Sequence, residues 1–109
     1  MFLKYNMRGR VRKIVDCVDE LMYRYCGFGE WNIRRAEIIV ANSLSRFPRT
    51  WGITYSSALI NLRGRELGMR VSLPGSYFFS YKGALKTARE IQEYYCKKGM
   101  DMKIVEEAA

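Results

Sequence analysis

A chain of 109 residues with 19 lysines and arginines, 11 acids and no histidine carries a formal charge of +8. The length fits a single domain, residues 1–109, that buries roughly 65% of its unfolded surface without disulfide staples. Without histidine there is no Ser-His-Asp or Cys-His catalysis and no histidine-containing metal site, and 49% apolar content excludes a disordered tail.

The first element is a helix from about Arg8 to Tyr25. Val11, Ile14, Val15, Val18, Leu21, Met22 and Tyr25 recur three or four residues apart, which keeps them on one helix face. Gly27 follows as a stop. A second helix is expected from about Ile33 to Arg46. Asn32 would cap it, Ala36, Ile39, Val40, Leu44 and Phe47 would form its stripe, and Pro48 would end it. Ile38-Ile39-Val40 are also strand formers.

Residues 50–68 admit two periods. Ala58, Ile60 and Leu62 alternate with Leu59, Asn61 and Arg63 as in a strand, whereas Tyr55, Ala58, Leu59 and Leu62 share a face in a short helix. The strand is preferred, because Gly64 inside a helix costs about 1 kcal/mol. Met69, Val71 and Leu73 alternate with Arg70 and Ser72 as a half-buried strand. Pro74-Gly75 predicts a type II turn into a second strand, Ser76–Tyr81. Ser80 can cap a helix from Tyr81 to Lys98, with Ala84 or Leu85, Ala88, Ile91 and Tyr95 as its stripe. Lys86–Glu90 and Arg89–Glu93 are its i,i+4 ion pairs. Residues 101–106 form a short last strand. The expected fold is α+β, a small antiparallel sheet packed with two or three helices. The order is ααβββαβ, or αααββαβ with winged-helix character if residues 53–67 are helical.

The charge is uneven. Residues 1–13 and 38–65 hold bases and no acid, whereas residues 90–109 are mildly acidic. Arg8, Arg10, Arg12 and Lys13 crowd the positive end of the first helix, where each cation costs about 0.3–1 kcal/mol. A bound phosphate would offset that, since arginines and backbone N–H groups can share one anion. Arginines outnumber lysines, and aromatics stand near them, as Trp31 does beside Arg34 and Arg35 and Phe47 beside Arg46 and Arg49. That mixture suits phosphates and bases. The expected function is noncatalytic nucleic-acid binding, DNA or RNA, through Arg8, Arg10, Arg12, Lys13, Arg34, Arg35, Arg46, Arg49, Arg63, Arg65 and Arg70. The alternative is a small phage-type inhibitor or accessory protein, viral or from a mobile element, docked on an acidic surface of a larger nucleic-acid-processing complex.

Other chemistry is weaker. Asp16 and Glu20 share a helix face and could hold Mg²⁺, but Arg12, Lys13 and Arg24 lie one turn away and ion pairing accounts for them. Cys17, Cys26 and Cys96 form no C-x-x-C pair and read as reduced, buried thiols of a cytoplasmic protein. Tyr94 and Tyr95 read as core. Gly64-Arg65-Glu66-Leu67-Gly68 lacks the lysine of a nucleotide loop. No enzyme activity, cofactor or metal is expected. No apolar run approaches the ~20 residues that span a bilayer, so no membrane partner is expected either. The oligomeric state, monomer or homodimer, is left open.

Two segments resemble known families. Trp51–Ala58 followed by Leu62 is similar to the turn and recognition-helix start of helix-turn-helix proteins, with the Pro74-Gly75 hairpin as a wing. That resemblance would put Tyr55, Ser56 and Arg63 in the major groove. Ser80-Tyr81-Lys82-Gly83-Ala84-Leu85-Lys86-Thr87-Ala88 resembles the strand-to-helix junction of double-stranded-RNA-binding domains, which implies phosphate contacts from Lys82 and Lys86.

Overall fold

The computed structural model describes residues 9–43 and 50–107. In chain order these form α1 (Gly9–Cys26), β1 (Trp31–Ser43), β2 (Thr50–Asn61), β3 (Glu66–Phe78), α2 (Tyr81–Lys97) and β4 (Met102–Glu107). The four strands make one sheet in the order β3-β2-β1-β4. Pairs β1–β2 and β2–β3 are antiparallel. β4 lies parallel to β1, with Ile38 opposite Ile104. The fold is α+β as expected, but the sheet is mixed rather than wholly antiparallel. Every connection from β1 through α2 reverses the chain, so β4 must run the way β1 runs.

The expected second helix is absent. Residues 31–43 are the central strand β1, paired on both sides. Ala36, Ile38 and Val40 face the helices and are essentially inaccessible, and Ile39 on the opposite side is only 3% exposed. A strand flanked by neighbours buries both of its faces, so it reads as an unbroken apolar run. The helix-turn-helix resemblance fails at the same level. Trp51–Ala58 lies within β2, and Tyr55 is fully buried in the core.

Residues 69–78, expected as two strands about a Pro74-Gly75 turn, form one edge strand. Its register slips instead: Thr54 pairs with Ser72 and Gly52 with Tyr77, so two steps on β2 match five on β3. Proline belongs at an edge or a bulge, where its missing N–H breaks no ladder bond.

Both helices cover one sheet face. Val11, Ile14, Val15 and Val18 of α1 pack with Ala84, Ala88, Ile91, Tyr94 and Tyr95 of α2 over Ile38, Val40, Ile53, Tyr55 and Leu73. The Tyr95 hydroxyl donates to the Asp19 carboxylate at 2.7 Å and reaches the Val15 carbonyl at 3.2 Å. Arg10 sits 4.6 Å over the ring of Phe78, which leads into α2. The two helices therefore run side by side in the same direction. Their amino termini share the end where β1 and β3 finish and β2 begins. No described helix is long and apolar enough to cross a membrane.

Candidate nucleic-acid interface

The apolar stripe of α1 turns Arg10, Arg12 and Lys13 to solvent. The stripe of α2 does the same for Lys82, Lys86 and Arg89, which follow one another at spacings of four and three along one side of the helix. Neither helix has an acid in its first turn. Side-by-side packing brings Arg10 to Lys86. Arg10, Phe78, Gly83, Lys86 and Thr87 line one hollow of about 330 Å³ between the helices. A second hollow of about 480 Å³ lies along α2 and is lined by Lys82, Leu85, Lys86 and Arg89 together with Glu90 and Glu93. Lys86 belongs to both.

Local structure keeps this end in shape. Ser80 caps α2 as expected, its hydroxyl accepting from the Gly83 N–H at 3.1 Å. A Cβ on Gly83 would lie 3.0 Å from that hydroxyl, so glycine lets the cap close. Phe78 forms the floor under Arg10. Among the described residues, Arg10, Arg12, Lys13, Lys82 and Lys86 have no carboxylate within ion-pair distance. The expected Lys86–Glu90 pair is not made, and Glu93 pairs with Lys97 at 2.9 Å.

The other expected arginines sit elsewhere. A register shift in β1 makes Arg34 an extra residue between Ile33 and Arg35. Arg34 pairs with Glu66 on β3 and Arg35 with Glu37 at 3.3 Å. Arg70 pairs with Glu107 across the sheet at 2.6 Å. These three arginines of the uncovered sheet face are thus matched to carboxylates. Arg63 and Arg65 stand on the β2–β3 turn, at the opposite end from the helix amino termini. Arg8, Arg46 and Arg49 lie outside the described residues. The structure therefore brings Arg10 together with Lys86, and Lys86 with Lys82 and Arg89, at the end of the molecule opposite Arg63 and Arg65.

In the sequence, Lys82 is marked only by the RNA-binding-domain resemblance, Lys86 by that resemblance and as an ion-pair partner, and Arg89 only as an ion-pair partner. Their spacing along an amphipathic helix with no acid in its first turn was the available signal. The acids of α1 have structural partners: Glu20 pairs with Arg24 at 3.3 Å, and Asp19 accepts from Tyr95. Cys17 and Cys26 are half-buried and burial raises both thiols above the ordinary value. Cys96 is exposed, contrary to the expected burial.

A different kind of surface occupies the other end. Tyr23, Phe28 and Leu62 are exposed there, and the first two rings lie tilted against each other with centroids 5.9 Å apart. The turn that carries Leu62 is held by Asn61, whose side-chain oxygen accepts from the N–H groups of Arg63 and Arg65 at 3.0 and 2.9 Å. The chain matches no protein-family model, no curated protein and no solved structure, so these surfaces are read from their own geometry.

Proposed function

We propose that this is a small noncatalytic nucleic-acid-binding protein that holds backbone phosphates at the joint amino-terminal end of its two helices. The observation that carries the reading is the placement of Arg10 and Lys86, cations without carboxylate partners among the described residues, on one hollow between α1 and α2, with Lys82 beside Lys86 on a second hollow along α2. Cations gathered at two positive helix ends oppose the helix dipoles, and an anion reconciles both. The resemblance of residues 80–88 to the junction of double-stranded-RNA-binding domains supports the same lysines. Such binding rests on counterion release, so affinity for a labelled oligonucleotide falls steeply between about 50 and 200 mM salt. Absence of binding at the lower concentration refutes it.

A second reading is supported by the opposite end. Tyr23, Phe28 and Leu62, flanked by Arg63 and Arg65 on a hydrogen-bonded turn, suit an inhibitor or accessory protein docking on a partner with an apolar, acid-rimmed surface. Under that reading Leu62→Asp abolishes association with the partner, and oligonucleotide affinity is unaffected.

A further inference from the structure

The two edges of the sheet differ. β3, at one edge, carries Pro74 and the register slip opposite Gly52 and Thr54, both of which spoil a ladder for an incoming strand. β4, at the other edge, has neither. Met102–Glu107 pair with Ala36–Ala41 residue for residue, and the strand holds no proline and no glycine. Among the described residues no strand lies on its outer side.

The hydrogen bonds of Met102 show which groups of β4 face outward. Met102 donates its N–H to the Met100 carbonyl, and its own carbonyl accepts from Gln92 Nε2, each at 3.0 Å, so both groups point away from β1. Alternate residues of a strand turn the same way, which puts the N–H and C=O groups of Ile104 and Glu106 on the open edge. Side chains alternate as well. Ile104 packs on the core and Glu106 accepts from the Tyr81 hydroxyl of α2, so Lys103, Val105 and Glu107 share the uncovered face. Lys103 has no carboxylate within ion-pair distance among the described residues; Glu37, its neighbour on β1, pairs with Arg35 at 3.3 Å. A lysine so placed guards an edge against pairing unless the incoming strand offers it an acid.

We infer that β4 pairs antiparallel with β4 of a second copy of this chain, about a two-fold axis at Val105. In that register Lys103 lies opposite Glu107 on both sides of the axis, and the two Val105 side chains meet between them. Ile104 of each copy exchanges both backbone bonds with Glu106 of the other, which uses the groups left open. Glu107 holds Arg70 through Oε2 at 2.6 Å and has Oε1 for the lysine. Other registers lose the match. A slip by one residue sets side chains of opposite faces against each other. A slip by two sets Glu107 opposite Asp101, or Glu106 opposite itself. Charge thus selects one register, with the chain itself as the occupant. Strands of 6 residues bury less than the about 1,200 Å² of a standard interface, so the dimer depends on concentration.

Sedimentation velocity from about 1 μM to about 1 mM, after nuclease treatment so that no polynucleotide bridges two copies, is expected to show a monomer–dimer equilibrium. Lys103→Glu sets acids against acids twice and raises the dissociation constant by about ten-fold or more. Lys103→Glu with Glu107→Lys restores the match and returns the constant to within about three-fold of wild type, a rescue that a role within one chain does not give. Val105→Cys in a Cys96→Ser background brings two thiols onto strands with Cα atoms about 4.5 Å apart, inside the range of a disulfide, so mild oxidation links two chains. Circular dichroism verifies that each variant is folded. None of these readouts uses an oligonucleotide, so the pairing is tested apart from the phosphate surface proposed above. A wild-type protein that stays monomeric across the range overturns the proposal. A dimer that ignores both charge variants and leaves Val105→Cys unlinked forms elsewhere on the surface and overturns it equally.

Discussion

Tyr95 shows how one residue joins the two helices. Its ring is 2% exposed, and its single proton reaches both Asp19 Oδ1 and the Val15 carbonyl. Removing the hydroxyl in Tyr95→Phe leaves those acceptors underpaired between α1 and α2, at a cost of about 1–2 kcal/mol in a denaturant titration. Burial first, and then the hydrogen bond to Asp19, raise this phenol far above its ordinary value of 10.0. Burial also raises Tyr55, which is fully inaccessible. The sign follows directly. Below about pH 10 both tyrosines are protonated folded or unfolded, and stability is unaffected. Above it the unfolded chain ionises and the folded chain does not, so stability falls by about 1.4 kcal/mol per pH unit for each such tyrosine. Urea midpoints measured between pH 9 and 11 should decline for wild type and less steeply for Tyr95→Phe; parallel curves would contradict it. The buried Tyr94-Tyr95 pair was legible from its place on the apolar stripe. Its partner Asp19 was not, because nothing local links positions so far apart in the chain.

The β2–β3 turn is held by four hydrogen bonds that all involve Asn61. Asn61 accepts from two backbone N–H groups through its side chain, from the Gly64 N–H through its carbonyl at 3.0 Å, and donates its own N–H to the Arg65 carbonyl at 3.0 Å. Gly64 has φ of 79°, a region that disfavours any side chain. Asn61→Ala deletes two of these bonds at an exposed site and is expected to lower stability by about 1 kcal/mol, with hydrogen exchange accelerating first at Arg63 and Arg65. An unchanged exchange rate there would show that the side chain does not hold the turn. Elements governed by local rules were readable in this way: the period of α1, the Ser80 cap and the alternation in β2 and β3. β1 was not. Ala36, Ile39 and Val40 fit a helical stripe, and only the pairing of Trp31 with Asn61 and Ile38 with Ile104 makes the same residues a central strand. Its preference is decided by non-local partners. The edge-strand register slip around Pro74 was hidden for a similar reason, since Pro-Gly is a local turn signal and only the pairing of Ser72 and Tyr77 with β2 on either side of it keeps the chain in one strand.

At the scale of the whole molecule the net charge resolves into places of different character. On the uncovered sheet face Arg34, Arg35 and Arg70 are each matched to a carboxylate. At the helix amino termini Arg10, Lys82 and Lys86 have none among the described residues, and Lys86 lines one hollow with Arg10 and another with Lys82. At the far end Arg63 and Arg65 accompany exposed Leu62 on a rigid turn. A long-range field would not distinguish these ends, because a duplex or single strand responds to the summed charge at low salt. Direct phosphate contacts would. Lys82→Glu with Lys86→Glu and Arg63→Glu with Arg65→Glu lower the charge of +8 by the same amount at opposite ends. At about 150 mM salt, where screening extends only about 8 Å, the lysine pair is expected to reduce oligonucleotide affinity by ten-fold or more and to flatten its salt dependence. The arginine pair is expected to leave affinity within about two-fold of wild type and its salt dependence unaltered, since the slope follows the number of phosphates that the bound protein neutralises. Equal reductions from the two pairs would mean that the chain binds through its overall charge and that the helix amino termini hold no site.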